Sequence, residues 1–173
     1  MGDVELLRSR IRDIPDFPKP GIVFKDLTPL LGDAASLVIT LDLLTAPWRN
    51  RGVTAVAGIE ARGFLLAPMV AERLGVGMVP LRKPGKLPWR TVAETYDLEY
   101  GTDTLEIHED AVSSADRVLL IDDVLATGGT AGAALRLLRR VGAEVVGCAF
   151  VIELEHLAGR GVLDAPVSSV LAY

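Results

Sequence analysis

Four aliphatic residues, Val118-Leu119-Leu120-Ile121, run directly into Asp122-Asp123. After Val124-Leu125 comes a small-residue stretch, Ala126-Thr127-Gly128-Gly129-Thr130, and then a helical repeat. An apolar run without alternation reads as a strand covered on both faces, which restricts the fold to a sheet flanked by helices. Val53–Ile59, Gly77–Leu81 and Val145–Ile152 have the same character, and a short last strand is expected near Ser168–Leu171. Helical spacing falls between them, at Val4–Ile11, Ser36–Trp48, Gly63–Leu74 and Thr130–Val141. In the last helix Ala131, Leu135 and Leu138 form an apolar stripe opposite Arg136, Arg139 and Arg140, and Gly142 is a natural stop. This alternation predicts an α/β fold built on a mostly parallel, twisted sheet flanked by helices.

The chain has 173 residues, half of them hydrophobic and 24% charged, so a single domain over residues 1–173 is expected and disordered or fibrous classes are excluded. The net charge of −5 argues against a general nucleic-acid partner. The longest apolar run, Gly63 to Ala71, is too short to span a bilayer, and no secretory leader is visible, so no membrane partner is expected. A lone cysteine, Cys148, cannot form an internal disulfide; it is expected in the core of a cytoplasmic protein. Charge is unevenly spread. Arg82, Lys83, Lys86 and Arg90 form a short basic run, whereas Glu94 to Asp110 carries seven acids and no Lys or Arg. Two solvated faces would explain this, and so would a local cationic site for a polyanion.

The stretch from Val118 to Thr130 carries the clearest chemistry. In open α/β sheets, ligands bind at the carboxyl ends of the strands. Where Ala126 to Thr130 opens a helix, unpaired amides and the helix dipole favour a phosphate, and the Thr127 and Thr130 hydroxyls can add donors. No lysine follows the glycines, and G-x-G-x-x-G is absent, so a monophosphate fits better than ATP or a dinucleotide. Asp122 and Asp123 are costly neighbours unless a cation or hydroxyls satisfy them. A ribose diol with Mg²⁺ nearby, reached through water, meets that need. An acidic helix cap without ligand is the alternative.

Two segments resist the regular scheme. Asp13 to Pro29, with Pro15, Pro18, Pro20, Gly21 and Pro29, cannot be a regular helix or a central strand. Arg82 to Ala93 is broken by Pro84, Gly85 and Pro88, carries an exposed Trp89, and leads into a hairpin of Tyr96–Tyr100 and Thr104–His108 turning at Gly101-Thr102-Asp103. Such an arm, residues 82–108, suits a flexible lid.

The motif around Asp122 resembles the segment with which phosphoribosyltransferases bind phosphoribosyl pyrophosphate (PRPP). Four further stretches resemble the adenine-specific branch of that family: Asp16-Phe17-Pro18-Lys19-Pro20-Gly21-Ile22-Val23-Phe24-Lys25-Asp26, Gly58-Ile59-Glu60-Ala61-Arg62-Gly63-Phe64, Arg82-Lys83-Pro84-Gly85-Lys86-Leu87-Pro88 and Tyr96-Asp97-Leu98-Glu99-Tyr100-Gly101. The resemblance implies a type I phosphoribosyltransferase fold with an N-terminal hood (residues 1–35) and a β-arm lid. It implies that adenine attacks the sugar C1 of PRPP, giving AMP and pyrophosphate in purine salvage, with Mg²⁺ as cofactor and a homodimer as the assembly.

Residue roles follow from the same resemblance. Asp122 and Asp123 would hold the ribose, and Ala126, Thr127, Gly128, Gly129 and Thr130 the 5′-phosphate. Arg62, Lys83 and Lys86 would face the pyrophosphate, with Arg62 and Lys86 counted as catalytic. Tyr100 would pack near the sugar. Glu99 would exchange a proton with the purine, although a solvent-facing strand residue is an alternative for it. With no Gln and one Asn in the chain, adenine would be read by backbone groups of Val23, Phe24 and Lys25, the last standing where relatives often carry arginine. A sister enzyme for another base, or a non-catalytic sensor of PRPP or a nucleotide, are the competing readings.

Overall fold

The computed structural model describes residues 2–97 and 101–173, which fall into two compact units divided between Leu43 and Leu44. In the first unit, helix α1 (Asp3–Ser9) is capped where the Gly2 N–H donates to Glu5 Oε2 at 3.0 Å. Strands β1 (Arg12–Pro15) and β2 (Val23–Asp26) then pair antiparallel, Arg12 opposite Asp26 and Pro15 opposite Val23. The proline-rich segment was expected to exclude a central strand, and this two-stranded ribbon contains none. Pro15 ends a strand, while Pro18 and Pro20 lie in the connection. The short helix α2 (Thr28–Leu31) has Pro29 in its first turn, where the missing N–H costs nothing. Helix α3 (Ala34–Thr45) starts where Asp33 accepts from the Ser36 N–H at 3.0 Å and its hydroxyl at 2.6 Å.

The second unit is built on five strands, all parallel, in the order β4-β3-β7-β8-β9. They are β3 (Ala55–Ile59), β4 (Gly77–Leu81), β7 (Arg117–Leu125), β8 (Glu144–Glu153) and β9 (Val167–Ala172). Helix α4 (Gly63–Leu74) joins β3 to β4, and α5 (Gly129–Arg140) joins β7 to β8. The apolar runs form strands as expected, and β3 is buried throughout. Phe150, Leu119, Leu120 and Ile121 are fully buried, each contributing about 1.5–3 kcal/mol by leaving water. Cys148 lies in this core, where burial pushes its thiol up to about 12.

Several boundaries differ from the sequence expectation. Helix α1 stops at Ser9 rather than Ile11, and α3 passes into a 3₁₀ turn over Ala46–Trp48. Strand β7 continues past the apolar run to Leu125 because β8 is long enough to pair with it to the end, Leu125 opposite Glu153. The hairpin pairs β5 (Thr91–Asp97) with β6 (Thr102–His108), so it starts before the expected Tyr96 and Thr104, while residues 98–100 of the expected first strand lie outside the described residues. Thr102 and Asp103 are strand residues opposite Asp97 and Tyr96, held by a 3.0 Å hydroxyl contact between Thr95 and Thr104. Tyr96, Leu105 and Ile107 bury one face of the hairpin in the cluster that includes α5. Trp89 is 61% exposed, as expected.

Candidate active site

The carboxyl ends of β3, β4 and β7 bring the expected polar residues together. Beyond β3, the Glu60–Ala61 peptide is cis, Arg62 caps α4, and Gly63 opens that helix against β7. A methyl on Gly63 would stand 2.9 Å from the Ile121 carbonyl oxygen and 3.1 Å from Asp122 Oδ1, so this close approach requires glycine. Arg62 reaches across to Asp123, donating from Nε to Oδ2. Asp123 is only 2% exposed, and this partner is what makes a buried carboxylate tolerable. Burial opposes the Arg62 charge, but Asp123 outweighs that and the Arg62 pKa rises.

Asp122 behaves differently from its neighbour. Its Oδ1 accepts the Asp123 backbone N–H at 2.9 Å. Burial, with the adjacent Asp123 charge next in weight, pushes its pKa well above the ordinary carboxylate range. Asp122 thus accepts a backbone N–H, while Asp123 is held against a guanidinium.

After β7 the chain turns through Ala126–Gly128 into α5. Gly128 has φ +84°, a left-handed conformation suited to glycine, and its carbonyl accepts from the Gly132 N–H at 2.8 Å. The first amides of α5 have no intrahelical acceptor, so they can bind an anion. Thr127, Gly128 and Gly129 line a cavity of about 350 Å³ together with Thr95, Tyr96, Asp97, Gly132, Arg136 and Val162. Arg136 was expected only on the polar side of its helix. It stands at this cavity because α5 lies against the hairpin, where its Nε donates to Glu94 at 2.7 Å.

Each cation of the arm has an internal carboxylate partner. Glu60 accepts from Lys86 Nζ at 2.8 Å, from the Lys83 N–H at 2.9 Å and from Arg82 Nε at 3.3 Å. Lys83 Nζ pairs with Asp103, whose carboxylate also accepts the Tyr96 hydroxyl at 3.2 Å. Arg82 exchanges backbone hydrogen bonds with Glu106 at 2.9 and 2.7 Å, which fastens the start of the arm to β6. Glu60 and Asp103 carry this network and were not singled out by sequence. Glu60 stands in the right motif, but nothing in the spacing pairs it with Lys86.

The Lys86 hydrogen bond, with help from Lys83 and Arg82, lowers Glu60 to about 2 from an ordinary 4.5, against the opposing effect of burial. A carboxyl depressed on folding stabilises above its unfolded value and loses that contribution as pH falls through its folded value. Glu60→Gln is therefore expected to cost about 1–2 kcal/mol at pH 7. The gap from the parent protein should shrink between about pH 4.5 and about pH 2. Urea melts across that range measure it, and a gap that stays constant with pH would rule out the linkage.

In the first unit, β2 presents Val23, Phe24 and Lys25. Lys25 Nζ pairs with Asp13 at 2.7 Å, and Phe24 meets Phe17 edge-on at 5.3 Å between ring centroids. Ile14, Phe17, Phe24 and Asp26 line a cavity of about 200 Å³. Among the described residues, β2 pairs with β1 in a two-stranded sheet. Glu99 and Tyr100 lie outside the described residues.

Comparison with known families gives this arrangement a class. The phosphoribosyl transferase domain model matches residues 42–172, and the chain belongs to the phosphoribosyltransferase family. Its relatives narrow that to the adenine phosphoribosyltransferases. The adenine phosphoribosyltransferase of Maricaulis maris is 55% identical over 170 residues, covering 96% of this chain and 97% of the relative. The crystal structure of the enzyme from Rhodothermus marinus matches with a TM-score of 0.94 at 54% identity, covering 99% of this chain and 98% of that one. The Saccharomyces cerevisiae enzyme, solved with an imino-altritol bisphosphate and adenine, matches at 0.93 and 37% identity over 98% of both chains. Among the described residues, no helix is long and apolar enough to cross a membrane.

Proposed function

We propose that this protein transfers the 5-phosphoribosyl group of PRPP to adenine, giving AMP and pyrophosphate in purine salvage. The observation that carries the reading is the joining, on one strand end, of Asp122-Asp123 to a turn held open by Gly128 and backed by a helix N-terminus. In this reading residues 126–130 seat the 5′-phosphate, and Asp122 and Asp123 take the ribose hydroxyls. Arg62, Lys83 and Lys86 exchange their carboxylate partners for the diphosphate as it develops charge. Val23 to Lys25 read adenine through backbone groups, and Phe24 adds an aromatic face. Glu99 as proton carrier and Tyr100 beside the sugar remain part of the proposal by resemblance.

Two adjacent hard-oxygen donors suit Mg²⁺, which commonly binds one or two carboxylates along with substrate phosphates. With both carboxylates assigned to the ribose, contact with the ion through water fits the donor set. When bound, the ion would neutralise charge on the leaving pyrophosphate. The hood (residues 1–35), a lid over 82–108, a cytoplasmic setting and a homodimer complete the reading by resemblance.

A base panel with PRPP and Mg²⁺, followed by pyrophosphate release, tests this. Adenine should exceed hypoxanthine, guanine, xanthine and pyrimidines by at least about 100-fold in kcat/KM, because unmatched hydrogen-bonding groups are rejected strongly. A different leading base selects a sister activity, and PRPP binding without turnover of any base selects a sensor.

A further inference from the structure

The connection between β8 and β9 lies directly behind the glycine-threonine turn. A methyl built on Gly159 would overlap the Ala126 carbonyl oxygen and stand 2.9 Å from both the Gly128 nitrogen and the Thr127 carbonyl carbon. Reciprocally, a methyl on Gly128 would overlap Val162 Cγ2 and stand 2.6 Å from the Gly159 carbonyl oxygen. The two backbones therefore touch with no side chain between them. Val162 is 64% exposed yet lines the same cavity as Thr127, Gly128 and Gly129.

This backing segment is itself fastened. Gly159–Val162 forms a 3₁₀ helix after Ala158, whose φ is +53°. Arg160 donates from Nε and Nη2 to the Glu153 carboxylate at 2.9 and 2.5 Å, and from Nη1 to the Val167 carbonyl at 2.7 Å. Glu153, 6% exposed at the end of β8, also accepts from the Ser169 hydroxyl at 2.6 Å. Arg160 thus ties the segment to β8 and to the start of β9, and Leu163 anchors its far end in the core.

We propose that Gly159 is a positioning residue for the phosphate-seating turn, with Arg160 as the tie that fixes it. The shape of residues 126–128 is set by a backbone surface outside their own motif, and displacing that surface misaims the amides at the phosphate. The proposal rests on the reading of the turn as the 5′-phosphate seat.

The test compares the affinities of AMP and adenosine, which differ only in the phosphate. The parent protein should bind AMP about 100-fold more tightly than adenosine. Gly159→Ala should erase most of that ratio by weakening AMP alone, since an error of about 1 Å in placement costs about 100-fold. A general structural defect would weaken both ligands together. Arg160→Lys keeps a charge on Glu153 but loses the grip on Val167, and should reduce the ratio about tenfold; it carries the test if Gly159→Ala does not fold. A parent protein with equal affinities would refute the phosphate seat itself. A parent that discriminates, beside folded variants that discriminate as well, would overturn the role of Gly159 and Arg160.

Discussion

Replacing Asp122 and Asp123 together by Asn is expected to lower kcat/KM about 10³- to 10⁴-fold with the fold retained. The single variants should be unequal. Asp122 accepts a backbone N–H through Oδ1, a bond that the amide oxygen of Asn can also accept. Asp123 is the buried partner of Arg62, and its replacement removes that ion pair. Asp123→Asn should therefore cost more than Asp122→Asn, in kcat as well as in KM for PRPP. Steady-state kinetics on variants with native circular dichroism measure this. A double variant within tenfold of the parent protein would remove the ribose assignment.

Gly128→Ala is the second large effect. The residue's φ of +84° puts a side chain in a region that costs about 1–2 kcal/mol. The added methyl would also press on Gly159 and Val162, a form of overpacking worth about 1–3 kcal/mol. A loss of about 2–5 kcal/mol is expected, seen as a lower urea midpoint at unchanged slope. KM for PRPP should rise by about 100-fold because the amides no longer converge on one point. Unchanged stability would mean that the turn relaxes freely; unchanged KM would mean that the phosphate sits elsewhere.

The strand positions were legible because their burial is two-sided and leaves uninterrupted aliphatic runs. The acid pair and the glycine-threonine turn were legible because that chemistry is local in sequence. The end of β7 was not: Asp122, Val124 and Leu125 are in the ladder because β8 offers partners, a property of the neighbouring strand rather than of their own side chains. Pro15 hid β1, because proline argues against a strand only where a second neighbour needs its N–H. The start of the hairpin at Thr91 was masked by Pro88 and Trp89 just before it. The ion pairs were the least legible part. Arg62 and Asp123 are 61 positions apart, and Lys86 and Glu60 are 26 apart, so only the folded sheet brings them together. Gly159 was invisible for the same reason: its partners lie on a different loop.

The pairing of Arg62, Lys83 and Lys86 with Asp123, Asp103 and Glu60 makes these carboxylates built-in competitors for any incoming anion. A stray chloride or acetate offers too few oxygens or too little charge to displace them. A diphosphate, with several oxygens and high charge, can engage the cations at once. On the proposed reading, a departing diphosphate leaves the carboxylates within reach of their former partners.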